Sequence, residues 1–181
     1  SDQPVAAISN MLLTEEGGGM WAFGGASYGG FNAGANALNL PLLMKENSGF
    51  STWFNVQNAG SSDASVTVTY DTGATETATI PPGAAATFDQ AANGDLPSPY
   101  IGSASITSDQ PIVATVTELG TTTVFAYNGF TGSSNNVVMP LVNANNSGYI
   151  TGIQIQNAGD TDTDITLAYT PGAQGTACEE T

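Results

Sequence analysis

At 181 residues the chain is long enough for one domain or two, and 40% of it is apolar, enough for a β-sandwich core. One Lys (Lys45), no Arg and no His stand against 16 acidic residues, a formal charge of −15, so neither nucleic acid nor an anionic membrane surface is an expected partner. No apolar run approaches the roughly 18 residues of a membrane span, and with 9% charged residues the surface must be covered by Ser, Thr, Asn and Gly.

In chain order, Val5–Ile8 reads as a short strand after an Asp2-Gln3-Pro4 turn. The Gly-rich segment Thr14–Ser27, which carries Met20, Trp21 and Phe23, reads as a loop or long hairpin tip, and Asn32–Asn36 as a linker. Leu40–Met44 is an apolar run broken by Pro41; lacking an amide donor, Pro suits an edge strand or a strand's first residues. Phe50, Thr52, Phe54 and Val56 then alternate with Ser51, Trp53, Asn55 and Gln57, a period of two with one face buried. After the Asn58–Asp63 turn, Ala64, Val66, Val68 and Tyr70 repeat that alternation. Asp71-Thr72-Gly73 turns the chain again, and Pro81-Pro82-Gly83 after Ile80 suits a type II turn. Ala86 and Phe88 point inward from the next strand, and Asp89–Pro99 is a loop. Gly102, Ala104 and Ile106 form a row, Ser108–Pro111 a turn, and Ile112, Ala114 and Val116 a further row before a last strand over Thr123, Phe125 and Tyr127. Short strands at spacings of about ten residues with no amphipathic helix predict an all-β fold, an immunoglobulin-like antiparallel β-sandwich. Its core is expected to hold Phe54, Val56, Val68, Tyr70, Ile80, Phe88, Ile106 and Val116.

The chain also repeats itself, which settles its organisation more firmly than any single strand does. Pro41–Ala74 returns 99 residues later from Pro140, with Asn47-Ser48-Gly49 falling on Asn146-Ser147-Gly148 and Gln57-Asn58-Ala59-Gly60 on Gln156-Asn157-Ala158-Gly159. Apolar character persists at Phe54/Ile153, Val56/Ile155, Val66/Ile165 and Val68/Leu167. Ser1-Asp2-Gln3-Pro4-Val5 returns as Ser108-Asp109-Gln110-Pro111-Ile112 at an offset of 107, and Tyr28-Gly29-Gly30-Phe31 as Tyr127-Asn128-Gly129-Phe130 at 99. Residues 1–35 therefore read as the closing strands of a partial unit, 36–135 as one complete unit, and 136–181 as the opening strands of a second.

Catalytic chemistry has little to work with. A nucleophile–imidazole pair needs His, and zinc or haem sites usually take His or several Cys. The chain has neither, only Cys178. The adjacent pairs Glu15-Glu16 and Glu179-Glu180 sit in polar, loop-like stretches and do not suggest a glycosidase pair, so no enzyme is expected. Asp160, Asp162 and Asp164 have alternate spacing that could offer oxygens to Ca²⁺. Only Asp162 has an acidic counterpart, Asp63, so no essential metal or other cofactor is expected. Trp21 and Trp53 could stack on a sugar; Trp53 lies on the outward row of its strand and its counterpart is Gly152, which favours packing against the next subunit or domain. Asn145-Asn146-Ser147 is a formal glycosylation sequon.

The strand ending in Gln57-Asn58-Ala59-Gly60, the run Val66–Tyr70, the turn Thr79-Ile80-Pro81-Pro82-Gly83 and Ser108–Ala114 together resemble the immunoglobulin-like repeats, of CARDB and related adhesion type, in secreted bacterial surface proteins. That resemblance implies sandwich modules in stalks, adhesins or extracellular filaments. The expected function is a structural subunit of an extracellular filament or cell-surface stalk, its partners other copies of itself; a carbohydrate-binding or adhesive module taking glycans is the alternative. Val5, Ile8, Trp21, Phe23, Trp53, Ile153, Ile155, Ile165 and Leu167 are the expected interface residues: Trp53 because it faces outward from its strand, the others because half-units leave such side chains without a sheet to cover them.

Overall fold

The computed structural model describes residues 2–14 and 22–171, with backbone alone for 14, 22 and 23. Among the described residues there is no helix, hence none long and apolar enough to cross a membrane. The chain is all-β and antiparallel, and divides into two compact units, Ser1–Ser133 and Ser134–Thr181.

In the first unit, β1 (Ile8–Thr14) and β2 (Ala22–Gly29) form a hairpin. The other seven strands are β3 (Ala35–Lys45), β4 (Ser51–Asn58), β5 (Ala64–Tyr70), β6 (Thr75–Ile80), β7 (Ala85–Asp89), β8 (Tyr100–Leu119) and β9 (Val124–Asn128). They make one sheet in which β3, β4, β5 and β9 all pair with the 20-residue β8. Its first half lies between β3 and β5, with Leu40 opposite Ala104 and Tyr70 opposite the same residue on the other side. Its second half lies between β4 and β9, with Phe54 and Tyr127 on either side of Val116. The sheet folds over at the middle of β8 into a sandwich-like body around one core.

Period-two alternation places that core. Phe54, Val56, Val68, Tyr70, Ile80, Phe88, Ile106 and Val116 are all buried, as their strand faces predict. Phe54 stacks on Phe88 with centroids 4.9 Å apart, and Tyr70 meets Tyr100 edge-on at 6.4 Å. Leu38, Leu40 and Leu43 on β3 fill the remaining space, and Pro41 falls where the β3–β8 register shifts, the place a residue without an amide hydrogen fits.

Three local expectations are corrected. Ser108–Pro111 is not a reversing turn but part of the unbroken strand β8, where the ladder partner passes from β5 to β4. Its turn-forming groups are taken by neighbouring strands instead: Asp109 Oδ1 accepts from Ser65 N (2.8 Å) and Pro111 O from Ala59 N (2.8 Å). The first strand starts at Ile8 rather than Val5. Val5 corresponds to Ile112, which pairs with Asn58 of β4, and among the described strands β1 pairs with β2 alone. The opening strands expected in the second unit are not strands: among residues 134–171 the pairing is the single bridge Asn146–Tyr149.

Phe54 is wholly buried in the ring stack, so Phe54→Ala is expected to lower unfolding free energy by about 3–5 kcal/mol, read by denaturant titration; an unchanged midpoint would refute the assignment of this face to the core.

Candidate functional site

The densest polar cluster lies inside the first unit, where the sheet's two halves face each other. Tyr70 Oη donates to Glu76 Oε2 (2.5 Å), and Asn93 Nδ2 donates to the same oxygen (2.8 Å). Gln90 Nε2 donates to Tyr70 Oη (3.1 Å), while Gln90 Oε1 accepts from Thr52 Oγ1 (2.9 Å). Lys45, the one basic side chain, donates to the carbonyls of Asn93 (2.6 Å) and Leu96 (3.3 Å) and so pins the loop after β7. Thr52, Gln90 and Asn93 are buried, and each finds partners, so this network fixes the fold rather than awaiting a ligand. Nothing local in the sequence marks this network, because its members come from β3, β4, β5, β6 and the Asp89–Pro99 loop, up to 51 residues apart.

Burial, then the Glu76 carboxylate, pushes the Tyr70 hydroxyl well above the ordinary tyrosine range; burial, then Asp71, does the same for Tyr100. An acid whose folded pKa is raised contributes stability that is whole below its unfolded pKa and is lost as pH rises toward the folded one.

The second candidate is built from the repeat. The β1–β2 hairpin copies the pairing of β8 and β9 in register: Ile8 opposite Gly29 matches Thr115 opposite Asn128, and Ser9 opposite Tyr28 matches Val116 opposite Tyr127. Gly30 N donates to Ala7 O at 2.8 Å, as Gly129 N does to Ala114 O at 2.8 Å. Yet β8 has β4 on its other edge, whereas β1 pairs with β2 alone among the described strands.

The second unit holds the reciprocal set. Its turns are formed as in the complete unit. Asn145, Ser147 and Gly148 have φ of 57°, 52° and 83°, against 48°, 52° and 85° at Glu46, Ser48 and Gly49. Asn143 N donates to Thr151 Oγ1 (2.9 Å) as Met44 N does to Thr52 Oγ1 (2.9 Å). Asn157 Nδ2 reaches Thr161 O at 2.7 Å, as Asn58 Nδ2 reaches Ser62 O at 2.7 Å. What differs is burial. Val56, Val66 and Val68 are at most 1% exposed, whereas their counterparts Ile155, Ile165 and Leu167 are 46%, 54% and 42% exposed. Gly60 abuts β8 so closely that a Cβ would lie 2.7 Å from Gln110 Oε1; around Gly159 the nearest such atom belongs to its own turn, Asn157 Oδ1 at 3.4 Å. Local turn chemistry is complete in the second unit, and the partner strand is what it lacks among the described residues.

The sequence-predicted interface residues are placed as follows. Val5 is exposed ahead of the hairpin and Ile8 is exposed on β1, while Ile153 is half-buried and Ile155, Ile165 and Leu167 are exposed. Trp53 is half-buried on β4, opposite Asp89 and Thr117. Phe23 lies in β2 by its backbone; Trp21, Glu15, Glu16, Cys178, Glu179 and Glu180 lie outside the described residues. Asp160, Asp162 and Asp164 are exposed, and among the described residues no three acidic, His or Cys side chains converge as metal ligands. Asn145 of the sequon is exposed.

No family model and no curated protein matches the chain. Among solved structures it is similar to Thermotoga maritima 1070, at 18% identity over 55% of this chain and 96% of that one, with a TM-score of 0.45. It is also similar to the Anabaena sensory rhodopsin transducer, at 19% identity over 47% and 97% of the two chains, with a TM-score of 0.36.

Because Tyr70 and Tyr100 are held neutral, their contribution to stability should stay constant up to about pH 10, the ordinary tyrosine pKa, and be lost steadily above it, with alkaline unfolding followed by circular dichroism. Stability unchanged well into the alkaline range would mean the two hydroxyls ionise in the fold without cost.

Proposed function

We propose that this chain is a structural subunit of an extracellular filament or cell-surface stalk, made of immunoglobulin-like β-sandwich repeats and joined head to tail by strand complementation. The reading rests on one observation: side chains at positions fully buried in the complete unit stand exposed in the partial copy at Ile155, Ile165 and Leu167, although the copy's turns are already shaped. Uncovered strands of this kind carry unmet backbone donors and acceptors and pair readily with another chain. The β1–β2 hairpin carries the sequence of the closing strands that such a copy needs. A contact between the tail of one copy and the head of the next is heterologous, so it propagates an open fibre unless its rotation closes a ring.

The resemblance to secreted CARDB-type repeats accords with this reading, as does the near absence of Lys and Arg, which leaves trypsin-like proteases a single cleavage residue, Lys45. The reading involves no catalytic step and no cofactor.

Deleting residues 1–30 leaves β3–β9 and their core in place. This shortened chain is expected to lose self-assembly in light scattering and to regain it when a peptide of the deleted residues is added. Assembly undiminished by the deletion would show that the head does not join the copies.

A further inference from the structure

The repeat offsets convert the pairing inside the complete unit into a register for the contact between copies. This step rests on the self-assembling reading above and specifies its contact. In the complete unit, β4 lies on the edge of β8 away from β9, with Trp53 opposite Thr117, Phe54 opposite Val116 and Val56 opposite Ala114. The β1–β2 hairpin reproduces β8 and β9 with the β4 edge unpaired among the described strands. Residues 150–157 reproduce the β4 sequence at an offset of 99 and lie in no strand.

We infer that residues 150–157 of one copy add antiparallel to the open edge of β1 in a second copy, with Gly152 opposite Asn10, Ile153 opposite Ser9 and Ile155 opposite Ala7. Side-chain parity is kept. Ile153 and Ile155 take the inward places of Phe54 and Val56, which are both 0% exposed in the complete unit. A slip of one residue would turn that row outward.

Two contacts flanking the ladder set the register against a slip of two. Ala59 N donates to Pro111 O at 2.8 Å, and the corresponding pair is Ala158 N and Pro4 O. Tyr127 Oη donates to Leu42 O at 2.6 Å, and the corresponding pair is Tyr28 and Leu141. Tyr28 is thereby carried to the β3-like stretch of the other copy, as Tyr127 reaches β3. Pro4 also gains a role: the Asp-Gln-Pro stretch is where β8 passes from β5 to β4 in the complete unit, and its copy at residues 2–4 closes the ladder at Ala158.

The test uses full-length chains carrying Cys178→Ser, so that each has one engineered thiol. Chains with Asn10→Cys are mixed with chains carrying Gly152→Cys, and separately with chains carrying Gln154→Cys, under mild oxidation. Directly opposite residues lie within disulfide reach, while diagonal neighbours stand about 7–8 Å apart and do not. The in-register pair is expected to give heterodimers, identified by intact mass, about tenfold faster than the shifted pair. Equal or faster linkage of the shifted pair overturns the register and leaves strand exchange standing. Chains that assemble by light scattering but link in neither pairing place the contact on another edge and overturn the inference. Chains that neither assemble nor link remove the self-assembling reading and the register with it.

Discussion

A strand has two edges, and in this protein nearly everything depends on what occupies the two edges of β8. Strands β3, β4, β5 and β9 all hydrogen-bond to it, and β6 and β7 reach it through β5 and β4. No other strand could hold the sheet together: remove β8, and β3, β4 and β5 lose their main ladder partner at once. Backbone amides and carbonyls taken from water must be paired. The core residues on those strands therefore become buried only when the ladder exists to bring them together. That dependence explains the contrast between the two copies of one sequence pattern. Residues 51–58 form β4 beside β8, while residues 150–157, with the same turns at either end, form no strand.

The interior behind β8 is unusual in using its few polar side chains so fully. The chain's one Lys serves two backbone carbonyls, and Glu76 receives both Tyr70 and Asn93. Among the described residues this network exists once. At the places of Lys45 and Met44 the partial copy has Ala144 and Asn143. The Lys45 contacts therefore have no counterpart in the partial copy. The surface follows the same economy of charge. With 9% charged residues and a net charge of −15, opposite-charge pairing between copies is almost impossible, and strand addition requires none.

Much of this was legible before any coordinates. The period-two rows named eight core residues, all of them buried, because alternation along a strand is a local signal. The repeat offsets were equally plain, and the hairpin register of β1–β2 bears them out to the residue. Ser108–Pro111 misled because turn composition reports a local tendency to reverse, whereas neighbouring chain on both sides keeps β8 extended through it. The polar network was hidden because its members are distant in sequence and individually unremarkable. Whether residues 150–157 and 163–169 form strands was not legible at all, since strand formation there depends on a partner that local sequence does not contain.

The account stands or falls on whether those residues become a strand when copies meet. Amide hydrogen exchange, compared between assembled and dispersed full-length chains, tests this directly. Protection of residues 150–157 rising on assembly toward that of residues 51–58, with a parallel gain along the open edge of β1, is the predicted result. Assemblies in which residues 150–157 exchange as fast as in dispersed chains would contradict it.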